Sequence, residues 1–210
     1  MNPERWLEFL ALLAFLGFVG LGYAATHARR LWGIDVAAAG LRGRGVRAAA
    51  VFTASGRAMP LVAVSAVIAA IVFASHERVL PAMTVFGVQV LSQTGNEVCK
   101  RLFVRKRPER RIGREEPGFS YPSGHATTAT VFYGSWLLFV LLSDLPAYAK
   151  LLLAALLLFW IAGIDWSRLA LGAHYPTDVA GGTLFGLAWM CACAAAMLHS
   201  PAFAVVPSGR

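Results

Sequence analysis

Charged side chains are scarce in this chain: they make up 14% of its 210 residues, and acidic ones are fewer than basic ones, eleven against nineteen. An ordinary soluble domain carries about 25% charged residues. With 58% hydrophobic residues and a mean hydropathy of +0.61, this composition excludes such a domain and points to a bilayer. Cysteine is rare too. Cys99, Cys191 and Cys193 are odd in number, lie in apolar stretches and lack paired spacing, which excludes a disulfide framework or zinc site and leaves them as small hydrophobes. There is no internal repeat or low-complexity tract, and the acidic residues are too scattered to form a metal constellation. The formal net charge of +8 fits contact with anionic headgroups or a phosphorylated substrate better than nucleic acid.

What the chain does have is long apolar runs. A hydrocarbon core about 30 Å thick takes roughly 20 apolar residues per helix, and runs of that kind cover 6–25, 59–75, 79–102, 123–142, 149–169 and 178–198. The expectation is an all-α polytopic membrane protein, a six-transmembrane-helix bundle forming one domain over 1–210. The first run exceeds the roughly 7–15-residue core of a signal peptide and is read as retained. Residues 26–57 scatter Arg29, Arg30, Arg42, Arg44, Arg47 and Arg57 among Leu31, Trp32, Ile34 and Val36, as an interfacial amphipathic segment does. Gly182 and Gly186 form a GxxxG suited to close helix packing, and the tail 201–210 reads as disordered.

The third run breaks the apolar rule in a patterned way. Gln89, Gln93, Asn96, Glu97 and Lys100 recur every three or four residues, so they share one helical face, which should turn to the bundle interior. A lysine at mid-bilayer costs roughly 2.5–3.5 kcal/mol, so Lys100 calls for a place at a boundary or in a site.

Three polar clusters lie at run boundaries: Lys100-x6-Arg107-Pro108, Pro122-Ser123-Gly124-His125, and Ser167-Arg168-x5-His174-x3-Asp178. Because consecutive spans alternate in direction, all three should emerge on one face. In this order and placement they resemble the tripartite signature of the type 2 phosphatidic acid phosphatase superfamily, which also includes bacterial acid phosphatases and vanadium haloperoxidases. Every signature position is filled between Lys100 and Asp178.

The residue types suit phosphoryl transfer, whose transition state spreads negative charge over equatorial oxygens that fixed cations must meet. Lys100, Arg107 and Arg168 supply three, the arginines as forks and the lysine as a point charge. Ser123 and Gly124 open a helix whose free N–H groups and positive dipole end would face a bound anion, although Ser123 also suits a plain N-cap. His174 is the expected nucleophile, with Asp178 setting its tautomer and offsetting the charge of a phosphohistidine. Pro176 argues against an unbroken helix across that pair. His125 is the expected general acid and then base. These roles match those the resemblance implies, which include a metal-independent hydrolase without a cofactor. His27, His76 and His199 read as interior or interfacial residues.

The expected substrate is a lipid phosphate or diphosphate in the membrane: undecaprenyl diphosphate is slightly favoured over phosphatidylglycerophosphate, phosphatidate or a lipid A phosphate. Arg105, Lys106, Arg110, Arg111 and Arg114 could serve a second phosphate or hold headgroups. A lipid or ion transporter would also carry a polar stripe but has no reason to gather a nucleophile, an acid and a phosphate clamp. A vanadate-dependent peroxidase shares the clamp, but the known examples are soluble. Orientation is in conflict. All lysines and arginines except Arg5, Arg78, Lys150 and Arg210 fall on the motif-bearing side, which the positive-inside rule would make cytoplasmic. The resemblance instead implies a bacterial inner membrane with the site on the periplasmic face.

Overall fold

Apolar sequence in a bilayer must satisfy its backbone internally, and this chain does so entirely with helices among the described residues. The structure is a computed structural model, and it describes residues 2–74, 79–109, 111–112 and 116–199. The elements are α1 (Pro3–His27), α2 (Gly33–Ala37), a short 3-10 turn (Ala38–Leu41), α3 (Val46–Ser55), α4 (Ala58–Ala74), α5 (Val79–Phe103), α6 (Gly124–Leu142), α7 (Ala147–Ala170) and α8 (Pro176–His199). The six long helices fall on the six expected runs. By length and composition, α1 from Glu4, α6, α7 and α8 each qualify to cross a membrane, and α3 with α4, bent by 42°, makes a fifth. The polar stripe keeps α5 below that composition despite its 25 residues. The chain is a multi-pass membrane protein.

Helix α1 packs along α8, and α6 packs between α7 and α8. Gly182 and Gly186 serve the packing expected of them: a Cβ on Gly182 would stand 2.5 Å from the Ser123 carbonyl, and one on Gly186 2.8 Å from Thr130 Cβ. Part of the stripe on α5 faces α6, where Gln93 Nε2 donates to Thr128 Oγ1 at 2.6 Å and Asn96 Nδ2 to Thr127 Oγ1 at 2.8 Å. Glu97, expected on the same inward face, is exposed because it lies about 100° round the helix from Asn96. Inside this bundle Phe18, Tyr121 and Phe185 form an aromatic core. Tyr121 stacks on Phe18 and donates its hydroxyl to the Phe18 carbonyl at 2.5 Å, which ties the loop before α6 to α1.

The arginine-rich stretch is not one amphipathic helix. It folds as α2, the 3-10 turn and α3, with α3 packed on α7 and α2 touching α8. Several apolar side chains, among them Leu31, Ile34, Val36 and Val51, remain exposed, while Asp35 and Ala49 are buried. His76, Arg78, Arg110, Arg114 and the expected disordered tail lie outside the described residues.

Candidate active site

Four helix ends meet on one face: the C-termini of α5 and α7 and the N-termini of α6 and α8. At the end of α5, Val104 adopts φ 52°, a left-handed conformation rare for a β-branched residue, and the chain leaves the helix and continues without regular secondary structure through Arg105 and Arg107. Past α7, Gly172 at φ 63° allows the turn that lets the Arg168 carbonyl accept from the backbone N–H groups of Ala173 (2.9 Å) and His174 (3.3 Å). Arg168 and His174 are thereby fixed to each other through the main chain.

Helix α8 begins at Pro176, so the break predicted between His174 and Asp178 is present. Asp178 lies in the first turn and is fully buried; its Oδ2 accepts from the Tyr175 N–H at 2.8 Å, the reciprocal half of a capping box. The same oxygen accepts from the Ser120 hydroxyl and stands 3.6 Å from His174 Nδ1. Ser123 is the N-cap of α6: its Oγ accepts from the Ala126 N–H at 3.5 Å, and its own N–H donates to the Asp178 carbonyl at 3.0 Å. The cap role weighed for Ser123 from sequence is therefore filled. The next two N–H groups, of Gly124 and His125, belong to the first helical turn and have no partner within the helix.

The cations converge on a single carboxylate. Glu116 Oε2 accepts from Arg107 Nη1 at 3.2 Å and lies 3.9 Å from His174 Nε2, while Oε1 pairs with Arg111 Nη2 at 3.0 Å and with Arg168 Nη2. Arg107 Nη1 also reaches His174 Nε2 at 3.1 Å. Arg168, 1% exposed, is held from the other side by the Thr53 hydroxyl of α3. Lys100 pairs with Glu97 at 2.6 Å, and its Nζ lies 3.6 Å from where a Cβ on Gly124 would stand, which puts the ammonium beside the α6 terminus. His125, one turn in, is within electrostatic reach of Arg168, Glu116, His174 and Lys100.

Burial pushes the His174 imidazole down to about 4, against the opposing pull of Asp178, so the ring is neutral at neutral pH. Burial also works against ionisation of Glu116, but Arg168, His125 and His174 outweigh it and hold the carboxyl at about 2, anionic throughout the working range. No group of three or more metal-ligating side chains occurs among the described residues.

All eight sequence-predicted residues thus lie at or beside the four helix ends that meet on this face. Sequence reasoning missed Glu116, Ser120 and Thr53, and took Arg105 for a headgroup or second-phosphate cation when it is buried inward. Glu116 carried a signal, since it is an acid beside the dense basic run from Arg105 to Arg114.

The fold and site define a multi-pass helical membrane protein with a histidine at a cationic anion cradle. The sequence model of the PAP2 superfamily matches residues 81–200, more than half of the chain, and the chain belongs to that superfamily. Similar proteins include phosphatidylglycerophosphatase B of Escherichia coli (strain K12), 37% identical over 100 residues that cover 46% of this chain and 37% of that protein. Phosphatidylglycerophosphatase B of Bacillus subtilis (strain 168) is 35% identical over 110 residues, covering 50% and 51%. Lipid A 1-phosphatase of Rhizobium johnstonii is 37% identical over 70 residues, covering 33% and 24%. The matched stretch spans about half or less of the length of these relatives. The crystal structure of a transmembrane PAP2-type phosphatidylglycerolphosphate phosphatase from Bacillus subtilis shares the fold, with a TM-score of 0.74 over 86% of this chain and 92% of that one at 24% identity.

Proposed function

We propose that this chain is a membrane phosphatase that hydrolyses a lipid phosphate through a phosphohistidine on His174. The observation that carries the reading is the convergence of Arg107, Arg168 and His174 Nε2 on the Glu116 carboxylate, an anion held where a phosphoryl group would need the same partners. In the first step His174 Nε2 attacks phosphorus, the bond from phosphorus to the lipid oxygen breaks, and His125 gives that oxygen a proton. In the second, His125 takes a proton from water, the hydroxide attacks phosphorus, and the P–N bond breaks to release phosphate and restore the imidazole. Lys100, Arg107, Arg168 and the free N–H groups of Gly124 and His125, which the Ser123 cap leaves open at the start of α6, offset the charge that develops on the transferred oxygens, the part a divalent ion plays elsewhere. Asp178 sets Nδ1–H as the His174 tautomer and balances the positive ring of the intermediate.

Relatives named phosphatidylglycerophosphatase B and lipid A 1-phosphatase support a phosphate monoester on a glycerolipid or saccharolipid as substrate. Undecaprenyl diphosphate, favoured slightly from sequence, retains one supporting observation: Arg111 brings a further cation to the same carboxylate, as a second phosphate would require. The site opens on the outer face of a bacterial inner membrane in this reading. Six of the arginines on that side belong to the stretch of α2 and α3, which packs on α7 and α8 instead of forming a simple loop, and Lys100, Arg107 and Arg168 serve the substrate in this reading. Purified protein in detergent, given a panel of phosphatidylglycerophosphate, phosphatidate, lipid A and undecaprenyl diphosphate, tests it. Orthophosphate release that His174→Ala abolishes supports the reading, and no release from any of them overturns it.

A further inference from the structure

Asp35 is the lone acidic residue in a stretch of six arginines, and it sits in a five-residue helix that carries no signature position. It is nonetheless 1% exposed. Its Oδ2 accepts from Arg105 Nη2 at 2.8 Å, and its carboxylate also takes the Thr177 N–H at 3.1 Å and the Thr177 hydroxyl at 2.9 Å. Arg105, itself buried, sends Nη1 to Asp178 Oδ1 at 2.5 Å and to Thr177 Oγ1 at 2.6 Å, and lies over the Tyr175 ring at 4.5 Å. The Arg105 carbonyl accepts from Ser120 N–H at 2.7 Å, so the backbone that carries this arginine also places the hydroxyl bound to Asp178 Oδ2. Asp178 is therefore gripped on both oxygens, Oδ1 by Arg105 and Oδ2 by Ser120 and Tyr175 N–H, with Oδ2 left facing His174.

Charge balance makes Asp35 more than a strut. One guanidinium shared between two buried carboxylates leaves the group with a net negative charge. Asp178 feels Arg107 from farther off, and the group beside its Oδ2, at 3.6 Å, is the imidazole, which answers that charge when it becomes positive. With Asp35 neutral, Arg105 would be committed wholly to Asp178 and would cancel the charge the phosphohistidine needs.

We propose that Asp35 and Arg105 are positioning residues for catalysis: they aim Asp178 at His174 and preserve its negative charge. The proposal rests on the phosphohistidine reading above. It makes the segment before the second long helix part of the catalytic apparatus, through a residue 143 positions from Asp178 in a stretch that the family signature does not reach.

The test measures kcat and KM for orthophosphate release in detergent by wild type, Asp35→Asn and Arg105→Lys. Asparagine keeps the size and the acceptor for Thr177 N–H while removing the charge. Disturbing groups that orient a reacting residue typically costs about 10–100-fold. The expected result is a fall of that order in kcat with KM within about twofold of wild type, while binding of vanadate, an anion that fills the cradle without needing turnover, is unchanged. Asp35→Asn with wild-type kcat overturns the proposal, and so does a loss confined to KM and vanadate affinity. If Asp35→Asn does not fold, Arg105→Lys decides by the same split, since lysine keeps a charge but cannot bridge two carboxylates. Wild type that releases no phosphate, or His174→Ala that still turns over, overturns the functional reading and this inference with it.

Discussion

His174 turns Nε2 toward Arg107, 3.1 Å from its Nη1, and Nδ1 toward Asp178. In the proposed mechanism Nε2 is the attacking nitrogen, and Arg107, the cation assigned to the phosphoryl oxygens, already stands beside it. Burial keeps the ring neutral, and Asp178 Oδ2, 3.6 Å from Nδ1, is the carboxylate that the same mechanism uses to hold a proton there.

The two histidines should separate by leaving group. His174→Ala should remove the phosphoenzyme and cost at least about 10³-fold on every substrate. His125→Ala should cost about 10²–10⁴-fold on a lipid, but far less on p-nitrophenyl phosphate, whose oxygen departs without a proton. Equal losses on both substrates for His125→Ala would reverse the assignment. Asp178→Asn should slow attack while leaving phosphate binding largely intact.

The pH profile follows from the depressed pKa of His174. Only the neutral imidazole attacks, so the rate on p-nitrophenyl phosphate, corrected for the ester's own ionisation, should be flat around neutrality and fall as pH drops through about 4. An acid limb at the ordinary histidine value of about 6.5 would mean that the ring is far more solvated than its burial implies.

Glu116→Gln removes the charge that competes for Arg107, Arg111 and Arg168 while keeping the side chain's size. Charge-assisted bonds are worth about 1.5–3 kcal/mol each, so orthophosphate should inhibit the variant at roughly tenfold lower concentration. Weaker inhibition would show that Glu116 orients the arginines instead of competing with the ligand.

Chelation should leave turnover intact. Lys100, Arg107 and Arg168 supply the positive charge that a divalent ion would otherwise bring, and activity abolished by EDTA and restored by magnesium would sink this mechanism.

Topology is open to a labelling experiment. Glu109 is exposed in the loop between α5 and α6. Glu109→Cys, in a chain whose three native cysteines are replaced, should react with a membrane-impermeant thiol reagent in intact cells. Reaction only after lysis would put the site on the cytoplasmic side, as the bare charge count has it.

Much of this protein was legible before folding because the bilayer makes strict demands on sequence. The six runs, the inward turn of Gln93 and Asn96 and the break before Pro176 each follow from a local rule, of hydropathy, helical period or ring geometry, and each stands in the structure, while Glu97 of the same stripe is exposed. The three clusters could be brought to one face by counting spans. The GxxxG of Gly182 and Gly186 likewise announced a close approach that the structure realises against α6.

The sequence by itself determined the class of environment, the helices and the groups able to do chemistry, since these depend on residue type and near neighbours. Only the tertiary structure decided which charges are spent on one another. Arg105 and Arg107 are two residues apart and alike as letters, yet one is buried between Asp35 and Asp178 and the other faces His174 and Glu116. That division depends on which way the chain turns at Val104 and on α2 folding back over α8, contacts between residues far apart in sequence whose energies no local pattern encodes.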